Sequence, residues 1–388
     1  KILNDMAYEI EFNSHKIISA NKQDLLEAKN FDLTDALLDR LRLDESRIVG
    51  MCNGLKKIIS LNDPVGEVTK SWTTNEGLKI NKVRAPFGVI GIIYEARPNV
   101  TSDVAGLCLK SGNAAVLRGS SYALNSNLAI LECLQSALIK NNIDKNSVQL
   151  IQSKEREDTI KFMQMTEYID LIIPRGGKGL IQTLVENAKV PFILDGDGNV
   201  HLYVHEDADE SKCTQIILNS KVQRPGVCNA LETLIIHENI YKKIGKEIIN
   251  SLLENEVELF VDPKIKLDFP NLQEADKIHY ETEFHDLKLA IKIVNSSDEA
   301  ILHIQKYSTG HTESILTSSD AEAEKFSKLI DSSVVFINAS TRFTDGEMFG
   351  FGAEIGISTQ KLHVRGPMGL EALTNERYIV KGEGTIRK

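Results

Sequence analysis

Short apolar runs alternate with helix-like stretches along most of this chain, and that alternation restricts the possible fold more than any other feature. The runs at residues 87–94, 114–121 and 171–174 have the length of a buried strand, and a shorter run covers residues 148–151. Between the runs at 114–121 and 148–151, residues 128–139 have helical periodicity. Strands that alternate with helices predict an α/β fold with a doubly wound parallel sheet.

A second series of strands follows in the C-terminal half. Its predicted members are residues 233–236, 259–261, 289–293 and 334–337. Outside the two series, residues 65–83 alternate and contain the turn Asn75-Glu76-Gly77, which predicts a hairpin, and residues 378–380 could form an edge strand. A chain of 388 residues is too long for one compact core, so we expect about two domains.

The composition argues against several classes of protein. The formal net charge of −10 disfavours nucleic acid or an anionic membrane as a partner, because both reward basic surfaces. No apolar run approaches the ~20 residues of a membrane helix, and the polar N-terminus lacks the layout of a signal peptide. We therefore expect a soluble cytoplasmic protein. The chain begins at Lys1 rather than Met, which leaves room for a few preceding residues.

The five cysteines are widely spaced and form no C-x-x-C motif, a pattern typical of a reducing compartment, and we expect no metal site. Cys228 differs from the others because it follows Pro225-Gly226 and lies outside any apolar stripe, as a nucleophile would. The nearby cations Lys221 and Arg224 would favour its thiolate form. The alternative is that Cys228 is one more small buried hydrophobe, and this segment alone leaves both interpretations open.

Two loops follow predicted strands at the edge where parallel sheets bind ligands. The first is Arg118-Gly119-Ser120-Ser121, whose cation and hydroxyls suit a ribose phosphate, although a solvated arginine fits equally well. The second is Arg175-Gly176-Gly177-Lys178-Gly179, between a strand and a helix, where glycines let the backbone approach a phosphate. This second loop matches neither G-x-G-x-x-G nor a Walker A motif and could be only a turn.

Two further patterns do not form a complete motif. The stretch Asp195-Gly196-Asp197-Gly198-Asn199 resembles part of a calcium loop but lacks the other ligands, so an EF-hand is excluded. Its carboxylates could be turn residues or a base. A thiol protease would need a histidine beside Cys228, and no protease signature surrounds that cysteine. The histidines considered for that role are His201, His237, His311 and His363.

Together these pieces resemble the aldehyde dehydrogenase superfamily, and within it the family of γ-glutamyl phosphate reductases. The resemblance extends over nearly the whole chain. Its most specific segments are residues 88–101, 109–114, 222–233, 311–315 and 352–370. It implies a cofactor domain, a catalytic domain that carries the cysteine, and a small strand extension used in oligomers. The expected boundaries are 1–225 for the cofactor domain with the hairpin 65–83, 226–345 for the catalytic domain, and 346–388 for a return segment and oligomerisation tail.

The resemblance also implies a reaction, the NADPH-dependent reduction of L-glutamate 5-phosphate to L-glutamate 5-semialdehyde and phosphate in proline biosynthesis. Cys228 would attack the acyl phosphate and form a thioester. The Asn99 side-chain amide and the Cys228 backbone N–H would stabilise the oxyanion of the tetrahedral species that follows. Hydrolytic relatives carry a glutamate that activates water. The matching stretch here has Asp195 instead, which suits a reductase.

NADP(H) is the implied cofactor. Relatives that use NAD often place a glutamate shortly after a strand-end lysine, where it binds the ribose hydroxyls. The matching stretch here begins at Arg118, has no carboxylate to repel a 2′-phosphate, and offers a guanidinium to pair with it. Glu283 matches the glutamate that contacts the nicotinamide ribose in relatives. The expected cofactor contacts are Arg118, Gly119, Ser120, Ser121, Arg175, Gly176, Gly177 and Glu283.

The implied substrate carries a phosphate, an α-carboxylate and an ammonium group. The cationic candidates for its anionic ends are Arg97, Lys221, Arg224 and Arg365. Glu95 or Glu354 could meet the ammonium group. Each of these charged residues could instead be a solvated surface group.

Two other functions stay open. A hydrolysing NAD(P)-dependent aldehyde dehydrogenase would oxidise free aldehydes without phosphate. A non-catalytic member would serve as a binding or structural subunit, although the presence of Cys228 and Asn99 argues against it. The resemblance suggests a homo-oligomer, either a dimer or a tetramer. Glutamate kinase is a further candidate partner, and the chain itself has no kinase-like region.

Overall fold

The computed structural model describes residues 1–29, 31, 33, 35–194 and 196–387. They divide into two compact units. The first comprises residues 1–195, 350–356 and 368–388, and the second comprises residues 196–349 and 357–367. Residues 196–225, which we expected in the cofactor domain, therefore pack with the residues around Cys228. The functional roles of the domains stay predictions.

Helices and strands alternate through most of both units. The helices are α1 Ile2–Phe12, α2 Ser14–Ala28, α3 Asp35–Leu41, α4 Glu45–Ser60, α5 Asn99–Lys110, α6 Leu124–Lys140, α7 Arg156–Met163, α8 Lys178–Asn187, α9 Glu210–Val222, α10 Glu238–Ile240, α11 Lys246–Glu254, α12 Pro263–Lys266, α13 Lys277–Glu281, α14 Ser297–Tyr307 and α15 Asp320–Leu329. The strands are β1 Val68–Thr73, β2 Lys79–Pro86, β3 Val89–Tyr94, β4 Ala114–Arg118, β5 Val148–Leu150, β6 Leu171–Arg175, β7 Val200–Val204, β8 Leu231–His237, β9 Glu258–Val261, β10 Gln273–Glu274, β11 Lys288–Val294, β12 Thr312–Leu316, β13 Val334–Ile337, β14 Ile357–Ser358, β15 Gly366–Pro367 and β16 Thr374–Lys381. Within the described part of the chain, no helix combines the length and the apolar character needed to cross a membrane.

The first unit is built on a four-stranded parallel sheet with the order β5-β4-β3-β6. Its central strand β3 is apolar on both faces, as expected for a parallel sheet covered by helices on both sides. Gly91 in this strand lets α7 approach, because a Cβ there would lie 2.8 Å from the Phe162 ring. β4 and β5 lie on one side of β3, and β6 lies on the other, so the strand order reverses between β3 and β6. Open α/β sheets bind ligands at such a reversal. The predicted doubly wound α/β fold is confirmed.

A separate antiparallel sheet in the first unit contains β1, β2 and β16. The turn between β1 and β2 uses Gly77 at φ +85°, a conformation that glycine adopts without strain. The hairpin predicted at residues 65–83 is therefore confirmed. The predicted edge strand at 378–380 is the centre of β16, which pairs with β2. Trp72 and Tyr378 meet edge to face across this sheet, with ring centroids 6.0 Å apart.

The second unit contains a seven-stranded parallel sheet with the order β10-β9-β11-β8-β7-β12-β13. Every residue of β7, β8 and β12 is buried. The sequence patterns did not identify β7 or β12 as strands, since β12 begins with the polar run Thr312-Glu313-Ser314. The buried polar side chains of Glu313 and Ser314 find hydrogen-bond partners inside the fold. The His201 N–H donates to Glu313 Oε2 at 2.7 Å, and Ser314 Oγ donates to the Ala339 carbonyl at 2.8 Å.

Candidate active site

Cys228 is the most accessible of the five thiols. It is half-buried, whereas the other four are buried. Burial raises the pKa of those four, to about 12 for Cys108 and about 11 for Cys133 and Cys213. A thiol with a raised pKa is rarely in the nucleophilic thiolate form. The alternative that Cys228 is an ordinary buried cysteine is therefore disfavoured. The described residues contain no group of three or more His, Cys, Asp or Glu side chains placed to hold a metal ion.

The loop that carries Cys228 joins the end of α9 to the start of β8 and is fixed by hydrogen bonds. Ala230 donates its N–H to the Val227 carbonyl at 3.0 Å, which closes a turn around the cysteine. The neighbouring Asn229 donates through Nδ2 to the Thr344 carbonyl at 2.8 Å, and Thr341 Oγ1 donates to the Asn229 carbonyl at 2.7 Å. Bonds on both sides of the thiol hold it in one position, as nucleophilic catalysis requires.

Gly198 lies directly against the backbone of Cys228. A Cβ at position 198 would be 1.5 Å from the Cys228 carbonyl oxygen, so no other residue fits without moving the loop. The Gly198 N–H donates to Glu283 Oε1 at 2.8 Å, and Glu283 Oε2 lies 3.2 Å from His285 Nε2. Glu283 thus supports the segment that packs on the nucleophile. Its expected contact with the nicotinamide ribose stays a prediction, and Asp195 lies outside the described residues.

Lys221 does not play the part expected from the sequence. Its side chain is fully buried at the end of α9, with Nζ 2.8 Å from Glu232 Oε2 in β8. Burial lowers the pKa of Lys221 and raises that of Glu232, while the mutual attraction of the pair opposes both shifts. Because Glu232 balances this charge, Lys221 is a structural cation. This pairing argues against the expectation that it favours the thiolate or binds substrate, and both roles stay predictions.

Arg342 is a candidate that the sequence patterns missed. It follows β13 and contacts the Cys228 loop, because Nε donates to Gln223 Oε1 at 2.8 Å and Nη1 donates to Asn229 Oδ1. Burial and then the positive charge of Arg224 lower the pKa of Arg342, while the charges of Cys228 and Asp345 oppose that shift. The available signal was a polar run at the carboxyl end of a parallel strand, which is the usual position of ligand-binding loops.

Arg224 and Arg365 are the other substrate contacts expected in the second unit, and their surroundings differ from each other. Arg224 is exposed on the loop that leads to Cys228. Arg365 donates through Nη1 to Asp331 Oδ1 at 2.7 Å, and Lys361 pairs with the same carboxylate. The charge of Arg365 is thus shared within the protein. Its expected role in substrate binding stays a prediction.

In the first unit, Asn99 is the first residue of α5, directly after Pro98. Its Nδ2 donates to Asp103 Oδ2 at 3.1 Å, one helical turn later. Burial raises the pKa of Asp103 to about 6, and its bonds to Asn99 and Ser102 oppose that rise. A carboxylate can only accept, so this contact fixes which end of the Asn99 side chain is the nitrogen. Asn99 therefore directs its NH2 group towards Asp103, and its expected role at an oxyanion stays a prediction. Arg97 in the same loop is exposed and Glu354 is partly buried, and their substrate contacts stay predictions.

Arg118 ends β4 with a buried guanidinium. Its Nη1 donates to the carbonyl of Gly119, and its Nε has no hydrogen-bond partner among the described residues. Gly119 is required for close packing, since a Cβ there would lie 2.2 Å from Asn127 Nδ2. Beyond it, Ser120 Oγ accepts the Tyr122 N–H at 3.3 Å, while Ser121 is half-buried. A buried cation with an unused donor is suited to bind an anion such as the 2′-phosphate of a nucleotide.

In the glycine loop after β6, the Glu95 carboxylate accepts a backbone N–H that was expected to bind a phosphate. The Gly177 N–H, at the N-terminus of α8, donates to Glu95 Oε1 at 2.9 Å, and the Glu95 N–H donates to the Arg175 carbonyl at 3.1 Å. Glu95 therefore lies at the helix N-terminus where a phosphate was expected, and its contact with the substrate ammonium stays a prediction. Gly176 has no room for a side chain, because a Cβ would lie 2.9 Å from Glu95 Oε1. Cofactor binding by Arg175, Gly176 and Gly177 stays a prediction. It would require the Glu95 side chain to move away from the Gly177 N–H.

Comparison with known proteins identifies the family. The family model described as the aldehyde dehydrogenase family matches residues 13–267. The gamma-glutamyl phosphate reductase of Caldanaerobacter subterraneus is 50% identical over 388 residues, which is 100% of this chain and 94% of the relative. The chain belongs to the gamma-glutamyl phosphate reductase family. The family name also applies to a Bacillus mycoides relative, 49% identical over 96% of this chain and 90% of its own length.

Solved structures support the same family. The crystal structure of gamma-glutamyl phosphate reductase from Thermotoga maritima superposes with a TM-score of 0.98 at 46% identity, over 100% of this chain and 94% of that protein. An acetylating aldehyde dehydrogenase from Geobacillus thermoglucosidasius matches with a TM-score of 0.70 at 16% identity, over 100% of this chain and 92% of its own. That second likeness shows the fold alone. The resemblance inferred from the sequence is confirmed.

Proposed function

We propose that this protein reduces L-glutamate 5-phosphate to L-glutamate 5-semialdehyde and phosphate, with NADPH as the reductant, in proline biosynthesis. The observation that carries the proposal is Cys228, an accessible thiol on a loop fixed by Asn229 and packed on Gly198. The names of the full-length relatives support the choice of substrate. A cytoplasmic location, a homo-oligomer and an association with glutamate kinase belong to the same proposal.

The chemistry follows from the nucleophile. Cys228 Sγ attacks the acyl carbon, the bond from that carbon to the phosphate oxygen breaks, and the phosphate leaves with the electron pair, so a thioester forms on the protein. When bound, the cofactor supplies a hydride to the thioester carbon. The proposed donors to the resulting oxyanion are the Asn99 amide, which Asp103 orients, and the Cys228 backbone N–H. Expulsion of the Cys228 thiolate then releases the aldehyde.

The residues of the first unit fit a cofactor that carries a 2′-phosphate. Arg118 offers a buried guanidinium with an Nε that lacks a partner among the described residues, beside the hydroxyls of Ser120 and Ser121. The segment 118–121 has no carboxylate that would repel the phosphate. We therefore expect Arg118→Ala to raise the KM for NADPH more than the KM for NADH. Equal changes for both nucleotides would remove Arg118 from the 2′-phosphate site.

The reverse reaction tests the proposal. Glutamate 5-semialdehyde and NADP are mixed with the protein, with and without inorganic phosphate, and NADPH is followed by its absorbance. Strict dependence on phosphate is the expected result. Cys228→Ala should abolish turnover and leave NADPH binding nearly intact, while Cys213→Ala, which alters a buried thiol of the same unit, should remain active. Turnover without phosphate would instead indicate a hydrolysing aldehyde dehydrogenase.

A further inference from the structure

Two arginines that are distant from each other in sequence lie at the Cys228 loop of the second unit. Arg224 lies on the loop itself and is exposed, and Arg342 follows β13 and is half-buried. In the part of the chain that the structure describes, neither forms an ion pair with a carboxylate. The region around the thiol thus carries two cations that, among the described residues, no carboxylate pairs with directly.

The bonds of Arg342 orient its guanidinium without neutralising it. Nε donates to Gln223 Oε1 at 2.8 Å, and Nη1 donates to Oδ1 of Asn229, the residue next to Cys228. Both acceptors are neutral amides, so each provides a hydrogen bond but no opposite charge. Asn229 is itself held, because its Nδ2 donates to the Thr344 carbonyl at 2.8 Å. The cation is therefore fixed in direction relative to the thiol, and its charge is left for a ligand.

The nearby charges favour an anion with more than one negative charge. Burial and the positive charge of Arg224 both disfavour the charged form of Arg342, and Cys228 and Asp345 act in the opposite direction. The Asp345 carboxylate is engaged elsewhere, since Oδ1 accepts backbone N–H groups at 2.8 and 3.1 Å. Two guanidinium groups that repel each other gain more from a doubly charged phosphate than from a single carboxylate.

We propose that Arg342, together with Arg224, binds the phosphoryl group of the substrate and then the phosphate that leaves. This inference rests on the proposed function. The phosphoryl group is attached to the carbon that Cys228 attacks, whereas the α-carboxylate is at the opposite end of the substrate. As the S–C bond forms, the C–O bond breaks and its electron pair remains on the phosphate oxygen. The guanidinium of Arg342 stabilises the negative charge that grows there.

The KM for inorganic phosphate in the reverse reaction is the direct test. Arg342→Gln should raise it about tenfold to a hundredfold, because a charge-assisted bond to phosphate is lost. The KM for glutamate 5-semialdehyde should change by less than about threefold. Arg342→Lys keeps the charge without the planar fork and should give an intermediate value. The matched control is Lys328→Gln, which removes an exposed cation of α15 and should leave both constants unchanged.

The reactivity of Cys228 gives a second readout that a merely structural role of Arg342 would not move. The rate of alkylation by iodoacetamide is measured against pH, since only the thiolate reacts. Loss of the nearby positive charge in Arg342→Gln should shift the midpoint upward by roughly one pH unit. Inorganic phosphate should protect Cys228 from alkylation in the wild-type protein and fail to protect it in Arg342→Gln. Arg342→Lys keeps the test available if the glutamine variant folds poorly.

The outcomes separate this inference from the proposed function. Phosphate-dependent turnover by the wild-type protein, with an unchanged KM for phosphate in Arg342→Gln and Arg342→Lys, would overturn the assignment and leave the proposed function intact. An increase confined to the KM for the semialdehyde would also overturn it, because Arg342 would then bind the α-carboxylate. Phosphate-independent turnover by the wild-type protein would overturn the proposed function and this assignment together.

Discussion

At the scale of single residues, the candidate site depends on close contacts that leave no spare room. Gly198 touches the backbone of Cys228, and Glu283 holds the N–H of that glycine. Asn99 is oriented by Asp103 in a similar way. In each case a neighbour that takes no part in the proposed reaction positions the group that does: Gly198 positions Cys228, and Asp103 positions Asn99. The neighbours are therefore the residues at which substitutions should separate activity from stability.

Gly198→Ala should reduce turnover by about a hundredfold or more, because the new Cβ displaces the Cys228 loop by on the order of an ångström. The matched control is Gly50→Ala in α4, where a Cβ meets nothing within 4 Å. Turnover in the reverse reaction and thermal melting are measured for both variants. If Gly198→Ala kept wild-type turnover, the proposed rigidity of the loop would be contradicted.

Asp103→Asn should change the pH dependence of stability. Burial raises the pKa of Asp103 from 3.8 to about 6, so the folded state binds more protons than the unfolded state between these values. This carboxyl therefore reduces stability as the pH rises through that window, and asparagine removes the cost. The stability of the variant relative to the wild type should increase by about 2–3 kcal/mol between pH 4 and pH 7. Urea unfolding at both pH values measures it, and an equal difference at the two values would contradict the assignment.

At the scale of helices and strands, the spacing of apolar residues along the sequence predicted most of the architecture. The apolar runs of β3, β4 and β6 were identified because parallel strands buried on both faces are apolar throughout. β12 was missed because Glu313 and its neighbours are polar, and their hydrogen-bond partners come from distant segments. Arg342 was missed for the same reason, since its relation to Cys228 exists only after β13 and β8 join one sheet.

The buried ion pair between α9 and β8 offers a prediction at this scale. Lys221→Met leaves Glu232 buried without its cation and should destabilise the protein by about 3–5 kcal/mol. The double variant Lys221→Met, Glu232→Leu should recover most of that loss, because no unpaired charge stays inside. The control is Lys328→Met, which breaks an exposed pair with Glu324 and should cost less than about 0.5 kcal/mol. A single variant as stable as the control would show that the pair contributes nothing.

At the scale of the whole molecule, the proposed site residues are divided between two compact units, each built on a parallel sheet. One compact unit carries Cys228, Arg224 and Arg342, and the other carries Asn99 and Arg118. The alternation of strands and helices was sufficient to predict α/β units, whereas the boundary at residue 195 depends on packing that sequence periodicity does not encode. The cysteine could be singled out by its turn-like surroundings. The residues that orient it come from distant segments, and only the folded chain shows them together.

In the proposed reaction, Cys228 carries the acyl group, and phosphate rather than water removes it. The most direct measurement mixes the protein with glutamate 5-semialdehyde and excess NADP in the absence of phosphate and records NADPH formation from the first seconds. We expect a burst of about one NADPH per chain that then stops, resumes when phosphate is added, and is absent in Cys228→Ala. Continuous NADPH formation without phosphate, or a burst that survives Cys228→Ala, would contradict it.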